Sequence, residues 1–242
     1  MTNKKISIIF AFFIAVFSCY LYAGGYKYGF PSRGTLAPDS VPLDTMRKIA
    51  VESAVSVWGQ AVPAGEIPCC SLDGVESFYY FIFRIDGGAP GDYSSITSEI
   101  IQGRADYMEI IKSPMHNGKE YDAKFLEAKK RKWGTGKYGT VVVSCRRSLA
   151  PVPEFIHGLP PFYTVLDIMA AQCPSGAAIV KVYYITPMDQ FYEFNYGGKD
   201  ILVNGLSLKM EDMKELKERY PGSLSPGAND KYYEKEWARH VH

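Results

Sequence analysis

The sequence predicts an α+β fold in which amphipathic helices cover an antiparallel sheet. Residues 77–86, SFYYFIFRID, are aromatic or β-branched at nearly every position, as in a strand with both faces covered. Three further strand-like runs follow one another closely between residues 178 and 204, while helical periodicity appears at 44–58 and 160–173. Because helices and hairpins occur in clusters and do not alternate strictly, the sheet is expected to be antiparallel.

The first expected element is a helix over residues 44–58. Asp44 is a suitable N-cap and Gly59 ends the run. One apolar stripe has helical spacing and consists of Met46, Ile49, Ala50, Ala54, Val57 and Trp58. Residues 24–43 are rich in glycine, proline, serine and tyrosine and lack apolar periodicity, which indicates an extended leader or tether. The α+β domain is therefore placed at residues 44–222.

The segment after the aromatic strand is expected to be mainly helical. Asp86-Gly87-Gly88 predicts a turn. Ser95 is a candidate cap for a helix over 95–111, although Gly103 weakens it and leaves a strand at 105–112 as the alternative. Residues 121–132 also have a helical composition.

The middle of the chain predicts two strands followed by a helix. Residues 138–145, YGTVVVSC, form the second clear strand, and the proline-flanked EFIHG at 154–158 is a short third one. A helix over 160–173 opens at Pro160-Pro161 and closes before Pro174. Cys173 lies on its apolar stripe, which favours a structural role for that sulfur.

The C-terminal third predicts an antiparallel meander. Its strands are residues 178–186, 190–196 and 200–204, joined by turns at 187–189 and 197–199. A short polar helix over 210–220 ends at Pro221-Gly222. Residues 223–242 are expected to be a solvated tail with at most one turn near 231–237. The sequence shows no internal repeat.

The N-terminus has the pattern of a secretory signal. Two lysines precede an apolar run over 6–17, which is too short to span a bilayer. A cut after Ala23 would make residues 1–23 a signal peptide. The stretch VFSC also resembles a bacterial lipobox, so a start at a lipidated Cys19 is the alternative, and an uncut anchor helix is the third. In each case the protein is expected to be exported to the periplasm, envelope or medium.

Export places the cysteines in an oxidising compartment, where disulfides are favoured. Four remain after a cut at Ala23: Cys69, Cys70, Cys145 and Cys173. Adjacent cysteines rarely bond to each other. The expected bridges are therefore Cys69 with Cys145 and Cys70 with Cys173, or the crossed pairing, with buried free thiols as the alternative.

The composition excludes several classes of ligand. There are 27 basic and 26 acidic residues, so no overall field attracts nucleic acid, and partners must be recognised locally. GTGKYG at 134–139 fits a dinucleotide fingerprint but precedes its strand, which makes a flexible turn the better interpretation. The basic run AKKRKWGTGK at 128–137 is typical of a solvated helix end. No cofactor is expected.

Catalytic and metal-binding chemistry find little support in the sequence. A thiol nucleophile would need a nearby histidine, and the candidates are Cys145 or Cys173 with His157, without any surrounding signature. His240 and His242 are two residues apart in the tail and lack a third ligand. No catalytic or metal site is therefore assigned, and a thiol-dependent hydrolase is kept as the alternative.

One stretch is shared in pattern with a known family. The strand GTVVVS at 139–144 precedes the charged pair Arg146-Arg147, a proline at 151 or 153, and a helix over 162–170. This order resembles the propeptide of streptopain-type secreted cysteine proteases, over about residues 46–172 with an insertion between 87 and 136. The resemblance implies an inhibitory or chaperone-like scaffold without its enzyme, similar to the stand-alone inhibitors related to such propeptides.

These features together lead to one functional expectation. The chain is expected to be an exported, non-enzymatic bacterial protein that binds another protein, a protease being one candidate, through an exposed strand or hairpin. Contact with a membrane is expected only through a lipid on Cys19, and no contact with nucleic acid is expected. A structural envelope lipoprotein is a further alternative.

Overall fold

The computed structural model describes residues 31–89, 96, 99, 102, 124, 126–128, 130, 133–165, 178–221 and 230–239. The predicted signal segment with Cys19, the thiol of Cys173, and the histidines at 240 and 242 lie outside these residues. Most of the predicted helices at 95–111 and 121–132 also lie outside them. Of the first helix, Ile96, Glu99 and Gln102 are described and are helical.

Eight strands form one sheet, and three helices are described from end to end. The order across the sheet is β4-β3-β2-β1-β5-β6-β7-β8. The strands are β1 Val62–Cys70, β2 Glu76–Arg84, β3 Tyr138–Ser144, β4 Glu154–Ile156, β5 Ala178–Thr186, β6 Asp189–Tyr196, β7 Lys199–Asn204 and β8 Met210–Glu211. The helices are α1 Leu43–Trp58, α2 Met213–Arg219 and α3 Asp230–Ala238.

The sheet consists of two antiparallel meanders placed side by side. Strands β1 to β4 run outward in one direction and β5 to β8 in the other. The meanders meet at β1 and β5, which are parallel and share the ladder pair Cys70 and Tyr183. The predicted α+β class with a mainly antiparallel sheet is confirmed.

Each meander follows a helical segment, and the two segments cover opposite faces. Met46 and Ile49 of α1 pack in a buried cluster with Tyr79 and Phe81 of β2. The helical residues 161–165, which precede β5, pack in the cluster on the other face, together with Tyr80 and Tyr192. The chain therefore repeats one order of elements, a helical segment followed by a four-stranded meander, although its sequence shows no repeat.

Strand β1 lies at the centre of the sheet and was not predicted. Pro63 and Pro68 lack an N–H and argue against a central strand in a sequence. They are tolerated because β1 pairs with β2 along its length but has one ladder pair with β5, so that its second edge needs few backbone donors.

The segment expected as a tether is, from residue 31 onward, bound to the sheet. The backbone N–H and the hydroxyl of Ser32 donate to the Val180 carbonyl at 2.8 and 2.9 Å. Thr35 N donates to Gly74 O at 3.0 Å, and Val41 N donates to Cys145 O at 2.7 Å. Residues 31–42 therefore belong to the fold and link its two meanders.

The C-terminal residues expected as a solvated tail contain helix α3. Trp237 is buried in the cluster beneath α1, and its Nε1 donates to the Leu149 carbonyl at 2.9 Å. The fold therefore extends past the predicted boundary at residue 222. Local sequence shows little sign of this helix, because most of its residues are polar.

Candidate functional site

Two turns at one end of the second meander hold large apolar side chains in solvent. We call residues 186–189 and 204–210 the apolar turns. Their exposed apolar side chains are Met188 at 69%, Leu206 at 49%, Leu208 at 43% and Met210 at 76% relative exposure. Exposed apolar residues are ordinary when scattered singly, but a group of them on neighbouring turns is typical of an interaction surface.

The two turns lie side by side because the strands that carry them are paired. Phe191 of β6 is opposite Asn204 of β7, and Gly205 N donates to Gln190 O at 2.7 Å. A Cβ at Gly205 would lie 2.6 Å from Cε2 of Tyr192, so that a side chain there would displace the buried ring. Glycine at this position therefore lets the second turn pack directly beside the first.

The turn at 204–210 is held by its own hydrogen bonds. Asn204 Oδ1 accepts from the N–H groups of Leu206 at 3.0 Å and Ser207 at 2.8 Å. The Asn204 carbonyl accepts from Leu208 N at 2.9 Å, and Asn204 N donates to Lys209 O at 2.9 Å. A single asparagine thus fixes the backbone that displays the leucines.

Leu208 has an unfavourable backbone conformation. Its φ of 57° is the only positive value at a non-glycine residue in the part of the chain that the structure describes. This left-handed conformation costs about 1–2 kcal/mol for a residue with a Cβ. Such strain persists where the surrounding structure imposes it, and it occurs often at functional sites.

The turn at 186–189 is fixed by a threonine. Thr186 Oγ1 accepts from the N–H groups of Met188 at 3.2 Å and Asp189 at 3.1 Å, and it lies 2.9 Å from Asp189 Oδ2. Met188 is therefore displayed on a fixed backbone as well.

The carboxylates around the apolar turns are bound within the protein, whereas one lysine is not. Asp189 Oδ2 accepts from Thr186 Oγ1 at 2.9 Å, and Glu211 pairs with Arg219 at 3.3 Å. Asp212 Oδ1 caps α2 by accepting from Lys214 N at 2.8 Å. The exposed ammonium of Lys209, by contrast, has no hydrogen bond or ion pair with any residue described here. The carboxylates are occupied within the protein, whereas this cation is available to a ligand.

The cysteines that the structure describes are free and buried, so the predicted disulfides are wrong. Cys69, Cys70 and Cys145 are all unpaired thiols, and both predicted connectivities required a bond to Cys145. Strand β2 lies between β1 and the end of β3, so the vicinal pair is about 10 Å from Cys145. A disulfide needs Cα atoms within about 7 Å. The order of the strands, which local sequence does not encode, therefore prevents the predicted disulfides.

The thiols are also poor nucleophiles. Cys69 and Cys145 belong to clusters on opposite faces of the sheet, and burial raises the pKa of both, to about 12 for Cys145. Burial raises the pKa of Cys70 to about 11. Since the thiolate is the reactive form, all three sulfurs are inert in the folded chain.

Alkylation of the native protein tests this assignment. With iodoacetamide near neutral pH, Cys69, Cys70 and Cys145 are expected to stay unmodified, since at a pKa of about 11 fewer than about one thiol in a thousand is ionised even near pH 8. The same reagent in urea should label all three, as peptide mass spectrometry would show. Labelling of Cys145 before unfolding would contradict the buried-thiol assignment.

Cys145 and His157 are not brought together. The pairing of Thr140 with Ile156 places His157 beside Gly139, at the start of β3. Cys145 follows the other end of that strand, about 20 Å away. His157 is exposed, and its Nδ1 accepts from Trp58 Nε1 at 3.4 Å. The predicted pairing of these two residues in a thiol hydrolase is therefore not formed, and Cys173 lies outside the described residues.

Among the described residues, no three His, Cys, Asp or Glu side chains are arranged to hold a metal. None of the helices in this part of the chain has the length and hydropathy of a membrane span. Comparison with family models, curated proteins and solved structures finds no match to this chain. The sequence does not predict the apolar turns as a site. Residues 205–209 lie between the predicted strand at 200–204 and the predicted helix at 210–220, and residues 187–189 are predicted only as a turn.

Proposed function

We propose that this chain is an exported, non-enzymatic bacterial protein that binds another protein, and that the apolar turns are its contact surface. One observation carries the proposal: Met188, Leu206, Leu208 and Met210 are exposed on two adjacent turns whose backbones are fixed. This is recognition by exposed hairpins, which the sequence led us to expect.

The energetics favour binding through these turns. Burying one such side chain completely contributes about 1.5–3 kcal/mol, and association normally loses part of this by ordering loops. Here Asn204 and Thr186 already order the loops in the free protein. Methionine side chains adapt to irregular surfaces, which suits Met188 and Met210 to a protein partner.

The site of the mature N-terminus and the class of partner belong to the same proposal. Export follows from the basic and apolar N-terminal pattern, with a cut after Ala23 or lipidation of Cys19. The resemblance to streptopain-type propeptides makes a protease the preferred partner. Mass spectrometry of the mature protein from the producing cells would distinguish a start at residue 24 from a lipid-bearing start at residue 19.

Site-specific photo-crosslinking tests the contact surface. With a benzophenone amino acid in place of Met210 of the full chain in its own cells, we expect one discrete protein adduct. The same probe in place of Lys199, in the hairpin turn at the opposite end of the strands, is the matched control and should give none.

The outcomes of this experiment separate the alternatives. Equal adducts from both positions would show nonspecific contact and would contradict the proposal. No adduct from Met210 would do the same. An adduct with phospholipid would identify the apolar turns as a membrane contact and would also overturn it.

A further inference from the structure

The chemistry of the apolar turns also restricts the partner. We infer that the partner offers an apolar cleft with at least one carboxylate at its rim, which pairs with Lys209 while Leu208 and Met210 enter the cleft. This inference rests on the proposed function and makes it more specific.

The position of Lys209 carries the first step. It lies between two exposed apolar residues, and its backbone carbonyl is fixed by Asn204 N at 2.9 Å. The ammonium therefore stays within the length of one lysine side chain from the apolar turns when Leu208 and Met210 are buried. An apolar cleft without a carboxylate would remove this charge from water without a partner, which costs several kcal/mol.

The neighbouring carboxylates carry the second step. Asp189, Glu211 and Asp212 are bound to Thr186, Arg219 and the first turn of α2. None of these three carboxylates contacts the Lys209 ammonium, and each would have to leave its present partner to do so. Charge complementarity then requires the counter-charge to come from the partner, and it would disfavour partners with a basic rim.

The strain at Leu208 carries the third step. Glycine adopts a φ of 57° without the steric cost that a Cβ brings, so Leu208→Gly should relieve the strain in the free turn. A leucine held there against its preference fits a side chain that serves recognition. The substitution should thus leave the thermal stability of the protein equal or higher and weaken binding, whereas a purely structural leucine would not give this combination.

Adduct yield in charge variants tests the inference. With the photo-probe in place of Leu206, we expect Lys209→Glu to lower the protein adduct by about tenfold or more and Lys209→Gln by a few-fold, while Lys209→Arg keeps it. Lys214→Gln is the matched control, because Lys214 is an exposed lysine nearby that already faces Glu218, and it should leave the yield unchanged. Leu208→Gly should lower the yield in a protein of equal or higher melting temperature.

The failures are distinguishable. If the adduct forms as well with Lys209→Glu as with the wild-type chain, the acidic rim is wrong while the protein-binding function stands. If the wild-type chain gives no protein adduct from the apolar turns, both proposals are wrong. If Leu208→Gly gains stability and keeps the full yield, Leu208 does not enter the cleft and the inference is wrong.

Discussion

Replacing Arg33 with methionine is expected to lower the free energy of unfolding by about 3 kcal/mol, because it leaves a buried carboxylate without its cation. Arg33 donates through Nε and Nη2 to the Glu76 carboxylate at 2.8 and 3.0 Å, and Tyr79 Oη donates to it at 2.9 Å. The Glu76 side chain is 1% exposed, whereas that of Arg33 is 55% exposed. The loss of stability therefore comes mainly from leaving the buried Glu76 carboxylate without its cation. Urea unfolding followed by circular dichroism measures it.

The matched control is Arg47, which makes a similar bidentate ion pair at an exposed position. It donates to Glu66 at 2.8 and 2.7 Å, but both partners are substantially exposed. Arg47→Met should therefore cost about 1 kcal/mol or less. The double variant Arg33→Met with Glu76→Gln should be more stable than Arg33→Met alone, because no charge remains buried. Equal effects for Arg33 and Arg47 would show that Glu76 is not stabilised by its ion pair.

This ion pair also explains why the domain begins earlier in the chain than the predicted start at residue 44. The elements with clear periodicity were predicted to within a few residues: α1 was expected at 44–58 and lies at Leu43–Trp58, and β5 was expected at 178–186 and lies at Ala178–Thr186. Residues 31–42 have no periodicity because they bind mainly through backbone groups and through the polar side chains of Arg33 and Asp39. Bonds of this kind depend on strand order, which local sequence does not encode.

The candidate site was harder to predict for a related reason. Periodicity identifies side chains that point inward, whereas Leu206, Leu208 and Met210 matter because they point outward. Their grouping with Met188 depends on the pairing of β6 with β7. The disulfide prediction was wrong because it rested on the number of cysteines and the expected compartment. In the structure, β2 separates Cys145 from the vicinal pair Cys69-Cys70.

Helix α3 gives the second large expected effect. Trp237→Ala should lower the free energy of unfolding by about 3–5 kcal/mol, since it removes a fully buried indole from the cluster that contains Ile49 and Phe81. Glu234→Ala, an exposed position on the same helix, should change it by less than about 0.5 kcal/mol. Urea unfolding of the full-length variants provides the comparison.

A third variant separates the two contributions of the indole. Trp237→Phe keeps most of the apolar contact but loses the bond from Nε1 to the Leu149 carbonyl, which is 2.9 Å long in the native protein. Leaving that carbonyl without its donor should cost about 1–3 kcal/mol, so this variant should lie between the other two. If Trp237→Ala were as stable as Glu234→Ala, α3 would not be docked on the sheet. A large loss would instead establish that α3 is docked on the sheet as part of the fold, because only a docked α3 can bury Trp237 against residues from α1 and β2.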